Sequence, residues 1–127
     1  MRKQLLFAFF LLSALPAIAH AAPSPQVHSV ELVLFYGRGC EFCAGMREFL
    51  GHMEARYPAL HVRRYEVYFD QSNAVLFERV AAAYNVEIKG VPTVFLDGDV
   101  FVGYAPHMDS DLERMIRACA TRAALRR

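Results

Sequence analysis

The sequence contains no tryptophan, only three cysteines and no excess of either charge. Its 14 Lys and Arg residues face 13 Asp and Glu residues, which gives a formal net charge of +1 with neutral histidines. A nearly neutral chain lacks the basic surface that binds a phosphate backbone, so we expect no nucleic-acid partner. Three cysteines are also too few, and odd in number, for a fold that disulfides hold together.

Residues 1–21 have the pattern of a signal peptide. Arg2 and Lys3 precede the apolar run LLFAFFLL, and small residues follow at 19 and 21, in Ala19-His20-Ala21. We therefore predict cleavage before Ala22 and a periplasmic or otherwise exported protein. An uncleaved anchor is the alternative, but Pro16 interrupts the run before the roughly 20 apolar residues that a spanning helix needs.

Residues 22–28 (APSPQVH) are rich in proline and have no periodicity, so they predict a flexible lead-in. Residues 29–127 are predicted to form one domain, because so short a chain can bury only one core. No later stretch is apolar over 18 residues, and we expect no stable membrane insertion after cleavage.

The pattern of apolar residues in this domain predicts alternating strands and helices. Helical spacing of apolar residues begins at Cys40 and ends near Tyr57, and a second helix is predicted from a cap at Ser72 to Asn85. Strands are predicted at 31–36, 60–69, 93–96 and 100–103, the last two joined by the turn Asp97-Gly98-Asp99.

A last helix, capped by Asp109 or Ser110, completes the order βαβαββα. This order predicts an α/β fold in which helices cover both faces of a mixed central sheet.

Two of the three cysteines, Cys40 and Cys43, form a Cys-x-x-Cys motif between the first strand and the first helix. That spacing suits either a redox-active dithiol or a soft-metal site. A closed zinc site takes four ligands, however, and no second Cys or His pair stands at ligand spacing.

The surrounding sequence resembles the thioredoxin superfamily. The segment LVLFYGRGCEFC, which ends at Cys43, is followed by GVPTVFLDGDVFVGY, which begins at Gly90, and the likeness extends from about Val30 to Cys119. The resemblance implies a thioredoxin-like fold and thiol-disulfide exchange without a cofactor. It also implies that Val91-Pro92 is a cis peptide that holds the backbone of an extended substrate.

The roles of the two cysteines agree with this resemblance. Cys40 would stand at the amino end of a helix, where free amide groups and the helix dipole favour a thiolate, so it is the predicted nucleophile. Cys43, one turn deeper, is the predicted resolving thiol that releases the partner.

The sequence departs from thioredoxin at two positions near the cysteines. Leu34 stands where thioredoxin has a buried aspartate, and Gly39 stands where it has tryptophan. The proton acceptor must therefore be another group, and Glu41 or water is a candidate. Arg38 is a candidate for stabilising the thiolate, with a solvated surface arginine as the alternative.

Other residues are interpreted as structural. Cys119 is in step with Leu112 and Ile116 on the last helix, which predicts a buried thiol rather than a redox-active one. Phenylalanines spread over all elements are predicted to fill the core, among them Phe42 and Phe69.

The sequence thus predicts an exported thiol-disulfide oxidoreductase, with a preference for a reductant or electron carrier. Its expected partners are cysteine-containing exported proteins and a membrane thiol electron donor. The alternatives are a Dsb-type oxidase or isomerase and a module that handles copper or zinc through its thiols.

Overall fold

The computed structural model describes residues 28–126, so the predicted signal peptide and most of the predicted lead-in lie outside the described residues. The chain forms four strands and three α-helices in the predicted order. They are β1 (Val30–Tyr36), α1 (Glu41–Arg56), β2 (Leu60–Glu66), α2 (Gln71–Ala83), β3 (Thr93–Leu96), β4 (Asp99–Val102) and α3 (Asp109–Leu125), with a short 3-10 turn at Pro106–Met108.

The strands form one mixed sheet in the order β2-β1-β3-β4. Strand β1 pairs in parallel with β2 and antiparallel with β3, and β3 pairs antiparallel with β4. The predicted α/β class and element order are therefore confirmed.

Residues on the two faces of β1 enter two separate clusters. Leu32 and Leu34 point to one face, where they pack with residues of α1 and α3. Phe35 points to the other face, where it packs with α2. The alternation of side chains along a strand thus places helices on both faces of the sheet, as predicted.

The smaller cluster is aromatic. The ring of Phe35 lies 4.4 Å from that of Phe77 on α2 and 5.9 Å from that of Phe95 on β3, measured between centroids. Offset and edge-to-face contacts of this kind add to the gain from burying the rings.

Several local predictions were wrong. Strand β2 ends at Glu66 rather than at residue 69. The cap of α2 is Asp70, whose carboxylate accepts a hydrogen bond from the Asn73 amide at 3.1 Å, and Ser72 only donates to that carboxylate. The N-cap position of α3 is Met108, which provides no side-chain cap, and the carboxylate of Asp109 in the first turn accepts from the Tyr104 hydroxyl.

Two of the phenylalanines assigned to the core are also on the surface. Phe42 is 63% exposed and Phe69 is 71% exposed. Phe42 lies in the first turn of α1, but it is not on the buried face of the helix, which consists of Cys43, Met46, Phe49, Leu50 and Met53.

No helix within residues 28–126 is long and apolar enough to cross a membrane.

The contrast between the two kinds of phenylalanine can be tested by unfolding. Phe77→Ala should lower the free energy of unfolding by about 3 to 5 kcal/mol, because it leaves a cavity in the aromatic cluster. Phe69→Ala, the matched control, removes an exposed ring that contacts a cation and should cost less than about 1 kcal/mol. Urea titrations of both variants would measure this, and similar losses would contradict the division into core and surface.

Candidate active site

Cys40 and Cys43 form a disulfide at the start of α1. Their Cα atoms are 5.2 Å apart, within the usual range for a disulfide. Cys40 is the N-cap of the helix and has an extended backbone conformation, so its sulfur faces the first free amides of α1. The Cys43 amide donates a hydrogen bond to Cys40 Sγ over 3.2 Å.

The two sulfurs differ in access. Cys40 is partly exposed, whereas Cys43 is only 1% exposed and faces the interior. The buried sulfur accepts a long hydrogen bond from the Gly37 amide at 3.5 Å. An external thiol or disulfide can therefore reach Cys40 first, and Cys43 only through it.

The loop before Cys40 is held by its own backbone. The Cys40 amide donates to the Gly37 carbonyl over 3.3 Å, and Gly39 has a φ of 83°, a left-handed conformation that glycine adopts without strain. The tight loop thereby turns the chain from the end of β1 into the first turn of α1.

Val91-Pro92 lies at the same end of the sheet as the cysteines. Thr93, the next residue, is paired with Phe35 near the end of β1, which leads into the cysteine loop. The Val91-Pro92 peptide bond is cis, Pro92 is buried, and its carbonyl accepts from the Gly103 amide at 2.7 Å.

Leu34, at the position where thioredoxin carries an aspartate, is completely buried in the apolar cluster of α1 and α3. Its side chain cannot accept a proton. Glu41 is exposed in the first turn of α1, where a carboxylate is compatible with the helix dipole.

Contacts of Arg38 with Glu66 and Phe69 attach the cysteine loop to the end of β2 and the segment that follows it. The Arg38 guanidinium lies over the Phe69 ring, 4.7 Å from its centroid, and the Arg38 amide donates to the Glu66 carboxylate over 3.1 Å. Sequence reasoning missed Glu66, because a glutamate at the end of a predicted strand carries no pattern that marks it as a loop anchor.

Cys119 is buried in the cluster of α1 and α3, as predicted. Its sulfur also has polar neighbours, since the Arg122 guanidinium lies 3.1 Å away and the Asp97 carboxylate 3.6 Å away. Burial is the main cause that raises the pKa of this thiol, and the nearby Arg122 charge opposes the rise. A protonated buried thiol is a poor nucleophile.

Among residues 28–126, no group of three or more His, Cys, Asp or Glu side chains is arranged to hold a metal ion.

The difference in access predicts the order of alkylation in the reduced protein. Iodoacetamide should modify Cys40 first and at the lowest pH, because its sulfur is accessible and lies at the helix start. Cys43 and Cys119 should react slowly, because both are buried. Peptide mapping by mass spectrometry across pH 5 to 9 would measure the three rates, with Cys119→Ser as the control that removes the third signal. Faster modification of Cys43 than of Cys40 would reverse the assignment.

Comparisons with known proteins place this geometry in a structural class. No family model matches the sequence, and no protein of curated function matches it. Solved structures do match. A protein from Chlorobium tepidum that has been assigned as a thiol:disulfide interchange protein DsbE is 24% identical with a TM-score of 0.56, over 74% of this chain and 82% of that one.

Two further structures show the same likeness. The DsbF protein of MTB is 18% identical with a TM-score of 0.52, over 73% of this chain and 82% of that one. Thioredoxin from Fasciola hepatica is 20% identical with a TM-score of 0.50, over 72% and 82% of the two chains. The chain therefore has a thioredoxin-like fold, with a Cys-x-x-Cys pair at the start of the helix that follows β1.

Proposed function

We propose that the protein is an exported thiol-disulfide oxidoreductase that exchanges disulfides with cysteine-containing exported proteins. The observation that supports this most directly is the asymmetric disulfide at the start of α1, in which Cys40 is accessible and Cys43 is buried. A dithiol that only stabilised the fold would have no need of one accessible sulfur at a helix terminus. The same activity is named for the C. tepidum structure.

The reaction begins with the reduced protein. The Cys40 thiolate attacks one sulfur of a partner disulfide, a mixed disulfide forms, and the other partner sulfur leaves as a thiolate that takes up a proton. The Cys43 thiol then loses its proton and attacks Cys40 Sγ. This step breaks the mixed disulfide, forms the Cys40–Cys43 disulfide and transfers two electrons to the partner, which leaves as a dithiol.

Backbone groups stabilise the attacking sulfur. The Cys43 amide donates to Cys40 Sγ at 3.2 Å, and a donor at this position is stronger when the sulfur is negative. The proton of Cys43 goes to water or to Glu41, because Leu34 offers no acceptor. Proton transfer to Glu41 or to water requires no cofactor.

Val91 is the proposed contact for the partner backbone. It precedes Pro92 at the end of the sheet that bears the cysteines, and its own side chain packs against the aromatic cluster. An extended partner segment beside Cys40 would therefore meet the Val91 main chain rather than a mobile side chain.

The residues between the cysteines favour a reductant or electron carrier over a strong oxidant. Strong oxidants stabilise the thiolate of the reduced form. Glu41 adds a negative charge near that thiolate, and Phe42 has no side-chain donor. Arg38, a cation two residues before Cys40 that could compensate, is stacked on Phe69. An exported reductant also needs electrons, which a membrane thiol donor would supply.

A trapping experiment tests the exchange activity and the two cysteine roles together. Cys43→Ser should accumulate mixed disulfides with exported proteins, because the second attack is removed. Cys40→Ser should accumulate none, and Cys119→Ser is the matched control that should behave as the unmodified protein. A protein that handles copper or zinc would instead lose metal affinity with either change and trap no partner.

The same trapped complex tests Val91. A structure of Cys43→Ser joined to a partner peptide should show the peptide backbone paired with the Val91 main chain. A peptide that leaves Val91 free would remove that residue from the binding site.

The direction of electron flow is tested by equilibration with glutathione. We expect a reduction potential nearer the roughly −270 mV of thioredoxin than the roughly −120 mV of the strong oxidant DsbA. Glu41→Gln should raise the potential, because it removes a negative charge beside the thiolate, and Glu113→Gln serves as a charge-matched control on α3. A potential above about −150 mV for the unmodified protein would favour the oxidase alternative.

A further inference from the structure

We propose that Glu66 is a positioning residue, whose carboxylate anchors the loop before Cys40 to the aromatic segment after β2 and so prepares the surface on which a partner polypeptide docks. The proposal rests on the proposed function for its effect on exchange. The anchor itself rests on contacts in the structure alone.

The Glu66 carboxylate accepts three backbone hydrogen bonds from two separate segments. One oxygen accepts from the Arg38 amide at 3.1 Å and from the Tyr68 amide at 3.0 Å, and the other accepts from the Phe69 amide at 3.0 Å. Hydrogen bonds to an ionised acceptor are stronger than those between neutral groups. A single side chain thus joins residues that are 30 or more positions apart in sequence.

Two side-chain contacts join the same two segments, the loop before Cys40 and the residues after β2. The Arg38 guanidinium stacks on the Phe69 ring, and the Tyr68 ring lies directly against Gly37, so close that a Cβ at this position would overlap with the ring. The absence of a side chain at position 37 is what allows this approach.

The anchored loop also contacts both cysteines of the active site, one through its sulfur and one through its backbone amide. The Gly37 amide donates to Cys43 Sγ, and the Gly37 carbonyl accepts from the Cys40 amide. These contacts are made by the Gly37 backbone and not by Glu66, so the cysteines keep their own support when the Glu66 anchor is removed.

The anchored segments present apolar surface beside Cys40. Tyr68 is 57% exposed, and Phe69 and Phe42 are more exposed still. A partner polypeptide that brings a disulfide to Cys40 would extend over these rings, since the loop that carries Cys40 contacts Tyr68 and Phe69. A small disulfide needs only access to the sulfur. Exchange with a polypeptide should therefore depend on Glu66 more strongly than exchange with a small molecule.

The charge state of Glu66 agrees with this role. Partial burial works to raise the pKa of the carboxyl, but the three amide donors and the nearby Arg38 charge together hold it below its ordinary value of 4.5. The carboxylate is consequently ionised at neutral pH, where it accepts the three amide hydrogen bonds.

The anchor can be observed directly by NMR. The backbone amides of Arg38, Tyr68 and Phe69 should shift together on acidification, with one shared transition below the ordinary carboxyl value of 4.5, because all three bond to one carboxylate. Glu66→Gln, which cannot ionise, should abolish the shared transition. Three independent transitions, or a shared one that persists in Glu66→Gln, would overturn the anchor.

The effect on exchange is measured with two disulfides. Glu66→Ala should reduce insulin disulfides about tenfold more slowly than the unmodified protein, and hydroxyethyl disulfide within about twofold of its rate. Glu54→Ala is the matched control, because Glu54 also accepts a backbone hydrogen bond from β2, at the Val62 amide, and pairs with Arg64. It should leave the ratio of the two rates unchanged.

Other outcomes contradict the proposal in distinguishable ways. Equal losses of rate with both disulfides would mean that Glu66 acts on the cysteines and not on partner docking. A changed ratio of the two rates in Glu54→Ala would mean that a general loss of stability is enough to produce the effect. If the unmodified protein reduces neither disulfide, the proposed function is wrong, and Glu66 has no role in exchange. The NMR titration still shows, independently, whether Glu66 anchors the loop.

Discussion

The position of the active site depends on the position of the carboxyl end of strand β1, where the cysteine loop begins. Because β1 is paired on both sides and packed on both faces, it has almost no freedom to shift. The cysteine loop that leaves it therefore starts from a fixed point. Helix α1, whose apolar side packs on the sheet, fixes the other end of the same loop. The disulfide lies between these two immobile elements, so the protein can place a reactive sulfur accurately with a loop of few residues.

In the proposed exchange reaction, the Cys40 thiolate would be stabilised by the backbone. The amide donors at the start of α1 are oriented by the helix itself, and they need no ionisable side chain to act. This arrangement is compatible with Leu34, an apolar residue where thioredoxin has an acid, because the thiolate at Cys40 does not require that acid. What the exchange reaction loses is a buried group to receive the proton of Cys43.

The sequence alone predicted the order of elements and the location of the cysteine pair, because both are encoded locally. Apolar periodicity distinguishes strand from helix, and Cys-x-x-Cys before a helical pattern locates the site. It failed where the answer depended on contacts between distant segments. Asp70 rather than Ser72 caps α2, and the aromatic rings of Phe42 and Phe69 are exposed because nothing in the described fold covers that end of the sheet. Glu66 could not be recognised, since its three donors come from two loops that only the folded chain brings together.

The aromatic side chain of Tyr104 connects the two helices on one face of the sheet. Its ring lies against Gly45 of α1, where a Cβ would come within 2.6 Å of the ring, and its hydroxyl donates to Asp109 at the start of α3. The volumes at positions 45 and 104 are consequently linked. A larger residue at 45 can be accommodated only if 104 becomes smaller, and the hydrogen bond to α3 is then lost. Among natural variants of this chain, we expect the two positions to change together. Where position 104 carries a large ring, position 45 should be glycine, and where position 45 carries a side chain, position 104 should be smaller.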